Sequence, residues 1–440
     1  MECSRLLVKI CSGIAYMSYI LCTFVAKTYL CTNQQMKQNR IIWIQTLLLC
    51  LLPSIGQSQV SMPYIANELL DSTNHETLGL KASPAVTTVT IFSPTDETMH
   101  YANGVVMTAF KNTLFCMWQC SQTDEDAPET SVVMSKSTDK GHTWSHPVVI
   151  AAANDSCYCT SGGWISTTDT LVAFINTWPK RLQPIGGFTQ YIISTNGDNW
   201  SKPKPVRMND GQVMNGVIEQ DPYAIACGRI IGAVHFQPGL HIAPVYTDSP
   251  TGLNGWKRAY FTGHDRGKQS RELEPSLYQR HDSTLVMIFR DQAGSFRKIA
   301  SISSDHGETW TEPMITNIPD ARVKQSAGNL PDGTAYLVGN PTGAKRRWPL
   351  VALLSKDGCR FDKAILLRSG GNDLQPQRYP GKAKTLGYSY PKSMVHHGKL
   401  YIAYATNKED VEYTMVDLNA LESLNSSADK NLTMIPVFIK

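Results

Sequence analysis

The chain has 440 residues, 41 of them Lys or Arg and 37 Asp or Glu, for a net charge of +4. A charge this mild and evenly spread, with no basic run longer than Lys345-Arg346-Arg347, excludes a nucleic-acid-binding surface. No coiled-coil or low-complexity tract is present, and the residues beyond the N-terminal segment are too many for one β-sandwich.

In chain order, residues 1–58 read as an N-terminal extension ending in a secretory signal. Met36-Lys-Gln-Asn-Arg40 is its basic start, residues 41–52 its apolar stretch, and Pro53-Ser-Ile-Gly-Gln-Ser58 supplies small residues near the cleavage point. Met36 is therefore the expected start. The expected location is secreted or periplasmic, with no membrane contact after signal removal. A membrane anchor in residues 14–30 is the alternative. Residues 59–99 form a further N-terminal segment that could close a ring, and residues 100–440 are expected to be one β-propeller domain.

That expectation rests on a repeat. Segments 137–144 (STDKGHTW), 194–200 (STNGDNW), 303–310 (SSDHGETW) and 355–361 (SKDGCRF) spell nearly one phrase, at intervals of about 55 residues or twice that. A weakened copy, 247–256 (TDSPTGLNGW), lies inside the double interval. In such a phrase Ser and Asp side chains bond backbone groups of a tight turn, Gly supplies positive φ, and the final aromatic packs the turn onto a sheet. Each clasp follows an apolar or β-branched run, as at residues 131–134 and 350–354, and precedes a restart bearing proline, such as His146-Pro147. Four strand-like runs per unit, for example 275–279, 284–289, 298–302 and 313–316, make the fold class all-β, a propeller of four-stranded blades. Six repeats are readable, and the ring has six or seven blades. The last unit lacks a clasp, and its outer strand comes from residues 87–92 or from residues 435–439.

Strand alternation puts the clasps on one face and the loops between second and third strands on the other, around the mouth of the central channel. The mouth gathers Asp124, Asp126, His235, His241, Arg271, Glu274, Arg290, Arg322, Lys324, Arg347 and Tyr390. Several have plainer readings. Glu274 and Arg290 could brace adjacent blades, and His235 ends an apolar run as a structural histidine would. His396-His397 begins a turn on the clasp face and reads as exposed imidazoles rather than a metal doublet. The cysteines beyond the signal show no metal-ligand spacing except a lone Cys157-Tyr-Cys159, so neither a cofactor nor a catalytic metal is expected, with a structural Ca²⁺ or Zn²⁺ left open.

The clasps match the Asp-box, or BNR repeat, of the sialidase-like propellers, a resemblance that covers about residues 100–416. Within it, Glu274-Pro-Ser and Phe289-Arg290 resemble the segments that carry the sialidase glutamate and one arginine of a carboxylate-binding triad. Arg347 resembles the triad's last arginine, Tyr390 the nucleophilic tyrosine, and the stretch from Asp124 to Asp126 the acid loop. The first triad arginine is missing, because the matching stretch is Tyr101-Ala102-Asn103-Gly104. Three other segments, His235-Phe-Gln-Pro-Gly-Leu-His241, Lys324-Gln-Ser-Ala-Gly-Asn329 and Tyr404-Ala-Thr-Asn-Lys408, are similar in style to ulvan lyases and rhamnose-glucuronate lyases. This second resemblance implies an acidic oligosaccharide or polysaccharide as partner and β-elimination beside a uronate. His235, His241, Glu274 and Tyr390 would be catalytic, and Arg271, Arg290, Arg322, Lys324 and Arg347 would hold the carboxylate. The leading expectation is thus a secreted lyase or dehydratase. An exo-glycosidase of sialidase type, using Asp124 or Asp126 with Tyr390 and Glu274, is the alternative, and a non-catalytic glycan-binding propeller a second.

Overall fold

A computed structural model describes residues 61–263 and 272–427, all within one compact unit, residues 61–440. The signal segment, Arg271 and the strand considered at residues 435–439 lie outside the described residues. Six antiparallel sheets of four strands follow one another as the blades of a β-propeller. Blade 1 is Tyr101–Phe110, Thr113–Ser121, Ser131–Ser137 and Val148–Ala151, and blade 2 starts with Cys157–Ser166. Blade 3 has an inner strand broken into Gly216–Val217 and Tyr223–Ala224, both paired with Ile230–Phe236. Blade 4 is Glu272–Gln279, Leu285–Asp291, Arg297–Ser303 and Met314–Pro319, and blade 5 starts with Ser326–Asn329.

Blade 6 settles the count at six. Its strands Tyr388–His396, Lys399–Thr406 and Asp410–Asp417 take their fourth partner from the N-terminal segment, Val86–Phe92, which runs antiparallel to Asp410–Asp417. Another part of that segment, Tyr64–Ile65, pairs in parallel with Arg360–Phe361 at the end of the blade 5 clasp.

Strands such as Ile230–Phe236 and Leu350–Ser355 are buried at every residue. Their continuous apolar character follows from blades that are covered on both faces. The core accordingly divides into layers, one at each junction. Met117 and Trp164 meet between blades 1 and 2, Phe174 and Trp256 between 2 and 3, and Tyr246 and Phe289 between 3 and 4. Ile288 and Leu353 meet between 4 and 5, Leu354 and Tyr404 between 5 and 6, and Trp118 and Tyr401 where blade 6 returns to blade 1.

The clasps repeat one hydrogen-bond pattern. In blade 1 the Ser137 hydroxyl donates to Asp139 and accepts from the Gly141 N–H, while Asp139 accepts from the Thr143 N–H at 2.9 Å. Ser303, Asp305, Gly307 and Thr309 do the same in blade 4. In both clasps the closing indole N–H, of Trp144 or Trp310, donates to the glycine carbonyl at 3.1 Å, and the weakened copy keeps that step, with Trp256 fully buried and its indole N–H donating to the Gly252 carbonyl at 2.7 Å.

Candidate active site

At the mouth, four inner strands carry a β-bulge, between Asn103 and Val106, Ser161 and Trp164, Leu273 and Ser276, and Ser389 and Lys392. An extra residue in a strand turns a side chain that would otherwise face a neighbouring blade. Three of these bulges hold a residue in the left-handed region: Gly104 (φ 61°), Glu274 (φ 51°) and Tyr390 (φ 56°). Glycine adopts that conformation freely, whereas Glu and Tyr do so at a cost of about 1–3 kcal/mol each. Asp126, in the loop after the second strand of blade 1, is left-handed as well (φ 57°).

These residues border a cavity of about 330 Å³ with Asn103, Glu125, Glu219 and Lys324. At its base one guanidinium nitrogen of Arg290 donates to both carboxylate oxygens of Glu274, at 3.2 and 3.0 Å, and to the Tyr390 hydroxyl at 3.3 Å. Burial works to raise the Glu274 carboxyl, but Arg290 and Lys324 outweigh it and hold the group below its ordinary value. Burial would likewise lower the Arg290 pKa, and Glu274 and Tyr390 reverse that sign. The Tyr390 hydroxyl is pushed well up by burial and then by Glu274, against the pull of Arg290 and Arg347. Three further cations lie over its ring: Lys324 at 5.2 Å, Arg347 at 5.3 Å and Lys408 at 5.6 Å from the centroid. Arg347 also donates to the Ser389 hydroxyl at 2.8 Å.

Asp126 provides an acid at the same mouth. Its surface is open to the cavity, yet the surrounding protein, then Glu125 and Glu219, raise its pKa to about 6. Glu125 sits beside it as a hub, one carboxylate oxygen accepting from the Tyr101 hydroxyl at 2.7 Å, the Lys408 ammonium at 2.8 Å and the Asn103 amide at 3.1 Å.

The structure thus brings Asp126, Glu274, Arg290, Lys324, Arg347 and Tyr390 together, and among the described residues it gives His235, His241, Asp124 and Arg322 positions around them. His235, 4% exposed, stands behind Glu274. Its Nε2 accepts the Glu274 backbone N–H at 3.4 Å, and its Nδ1 is 3.7 Å from Glu219. That acceptor role puts the proton of the neutral ring on Nδ1, on the Glu219 side. His241 is exposed at the start of its strand, beside Leu240, which does line the cavity. Asp124 accepts the Lys382 N–H at 2.6 Å and fastens two loops together. Arg322 donates to the Gln292 carbonyl at 2.8 Å, in the loop of blade 4.

Sequence reasoning gave no role to Glu219 or to the interacting pair Asp221 and Lys392. Burial, opposed by Asp221, lowers the Lys392 pKa to about 7, while Asp221, itself raised by burial, accepts the Trp164 N–H at 2.8 Å. The broken inner strand of blade 3 is the one local signal that residues 218–222 do something other than pair. Among the described residues no group of three His, Cys, Asp or Glu is placed to hold a metal ion.

Comparison with known proteins adds family and fold. A search of curated proteins finds no match. Similar solved structures include a protein of unknown function from Dyadobacter fermentans DSM 18053, with TM-score 0.58 and 16% identity, covering 76% of this chain and 100% of that one. Trypanosoma rangeli sialidase in complex with the inhibitor DANA gives TM-score 0.58 and 15% identity over 81% of this chain and 64% of that one. The intramolecular trans-sialidase from Ruminococcus gnavus, in complex with oseltamivir carboxylate, gives 0.51 and 14% over 78% and 98%. The chain spans only 35% of a further sialidase chain. The BNR repeat-like domain matches residues 112–402. The chain therefore belongs to the BNR repeat-like family and folds as a sialidase-like six-bladed propeller.

Proposed function

We propose that the protein is a glycoside hydrolase of sialidase type, acting on a terminal acidic sugar with Tyr390 as nucleophile. The observation that carries this reading is the single Arg290 nitrogen bonded to both Glu274 and Tyr390. It holds a phenol and a carboxylate side by side at the cavity base. A sugar whose anomeric carbon bears or adjoins a carboxylate repels an anionic nucleophile, and a neutral phenol avoids that repulsion. As the Tyr390 oxygen bonds to the anomeric carbon, its proton passes to Glu274 and Asp126 protonates the departing glycosidic oxygen. Water then attacks the same carbon, Asp126 takes its proton, and Tyr390 leaves with the proton returned by Glu274. Arg347 and Lys324 hold the substrate carboxylate. A cavity of about 330 Å³ is at the small end of ligand pockets and suits one chain-end sugar.

The geometry supports this alternative over the leading sequence expectation of elimination. Elimination needs a base facing the substrate, and the burial of His235 behind Glu274 and the exposed position of His241 both weaken the imidazole candidates.

Fluorogenic glycosides of sialic acid, glucuronic acid and neutral sugars, together with a rhamnose-glucuronate oligosaccharide substituted at O4 of the uronate, test the reading. Turnover of an acidic member with retention, and a Tyr390 adduct by mass spectrometry after treatment with the matching fluorinated sugar, is the expected result. Unsaturated uronate absorbance without a Tyr390 adduct would return the reading to a lyase, and no turnover across the series to a binding module.

A further inference from the structure

The face opposite the mouth, where the clasps lie, carries a second cavity of about 590 Å³, well within the range of ligand pockets. It opens where blade 6 meets blade 1. Leu114, Tyr401 and Met415 supply its apolar floor. Its rim is basic: Lys140 and His142 come from the blade 1 clasp, and His396, His397 and Lys399 from the first hairpin of blade 6.

The hairpin is built to present these groups. His396 pairs with Lys399, which leaves His397-Gly398 as a two-residue turn with φ of 44° and 73°. Such turns ordinarily take Asn-Gly, because both positions are left-handed. Here the first position is an exposed imidazole, edge-on to the His396 ring with centroids 3.9 Å apart. Lys140, at the tip of the clasp, is left-handed too (φ 63°).

Two carboxylates, Asp139 and Asp417, contact residues at the cavity, and both are already engaged. Asp139 accepts from Ser137 and Thr143 within its clasp, and Asp417 pairs with Lys399 at 2.7 Å. Among the described residues no carboxylate forms an ion pair with Lys140, His142, His396 or His397. Lys140 and Lys399 balance these two carboxylates, so positive charge exceeds negative around the apolar floor once the imidazoles gain protons in weakly acidic solution.

We propose that this cavity binds an acidic oligosaccharide, its sulfate or carboxylate groups held by Lys140 and the three imidazoles and its sugar C–H faces resting on Leu114, Tyr401 and Met415. The site is independent of the chemistry at the mouth. Its affinity depends on pH, because imidazole is the side chain that ordinarily gains charge in the physiological range. Burial and then the neighbouring His397 lower the His396 pKa from its ordinary 6.5, so this ring becomes cationic only in more acidic solution. The other groups facing the rings do not reverse that trend. Hydrogen bonds from Thr143 keep Asp139 well below the usual carboxylate range, and burial pushes the Tyr401 hydroxyl up, so neither changes charge between weakly acidic and neutral pH.

Calorimetric titration of the full chain with sulfated maltohexaose, which carries no uronate, tests the proposal against unsulfated maltohexaose and inorganic sulfate. The expected result is binding of the sulfated hexasaccharide alone, about tenfold tighter near pH ~5.5 than near pH ~7.5. The double variant Lys140→Asn/His397→Asn should lose that binding with an unchanged melting temperature, since Asn accepts the left-handed backbone. The double variant His142→Gln/His396→Gln, which leaves both turns intact, should reduce the pH dependence, and Arg347→Ala, on the other face, should retain binding. Equal affinity at both pH values, no effect of the double variant, loss of binding in Arg347→Ala, or preference for inorganic sulfate or phosphatidylglycerol vesicles would each overturn it.

Discussion

Two ion pairs flank Tyr390, and they are alike in charge but not in geometry. On one side Arg290 ties Glu274 to the phenol through a planar guanidinium. On the other, the Lys408 ammonium donates to Glu125 and lies 5.6 Å from the rings of both Tyr101 and Tyr390. A guanidinium fixes direction, while an ammonium is a point charge on a flexible stem. On the proposed function, the Arg290 side is thus suited to holding proton-handling groups in place, and the Lys408 side to tuning which sugar is accepted. The Lys408 flank also meets the first inner strand at the position where the sialidase resemblance leads one to expect an arginine. Ala102 stands there, its N–H donating to the Lys408 carbonyl at 2.9 Å, so the cation arrives from the neighbouring turn of blade 6 instead.

Removing the group that both flanks share has the largest expected effect. Tyr390→Phe should lower kcat by about 10³ or more in steady-state assays of the hydrolysed glycoside, and near-normal turnover would remove the nucleophile from the scheme. Exchanging the cations then separates the two sides. Arg290→Lys keeps the charge but loses the planar contact and should cost about 10² in kcat, whereas Lys408→Arg should change mainly KM, by about tenfold or less. Equal kcat losses from the two exchanges would show that the flanks are equivalent. The smallest effect is a change of profile. As general acid Asp126 works protonated, so activity should fall as pH rises through about 6, and Asp126→Asn should abolish that limb together with acid catalysis of poor leaving groups. A limb that persists in the variant would assign the acid to another residue.

Much of this architecture was legible because one phrase does one mechanical task in every blade that has it. Ser, Asp, Gly and an aromatic at fixed spacing can only close a turn, and even the weakened copy ending in Trp256 keeps its indole-to-carbonyl bond. Blade 6 was harder, since no clasp marks it and its pairing with Val86–Phe92 spans nearly the whole chain. In the site, Glu274 and Tyr390 were legible through local motifs, each followed by proline at a strand entry. Lys408 and Glu219 were not, because their importance comes from side chains of different blades converging on one cavity, which spacing along the chain does not encode. His235 shows the converse. Its type suggested a base, while its place behind Glu274 follows from how blades 3 and 4 pack.

The strand that completes blade 6 is the first long one among the described residues and pairs with the last. From the synthesis of Val86–Phe92 until Asp410–Asp417 emerges, two sheet edges stay unpaired, and such edges recruit wrong partners. Ring closure therefore waits until the last strand of blade 6 has been made. The seam between Val86–Phe92 and Asp410–Asp417 is where strand exchange between two copies would begin.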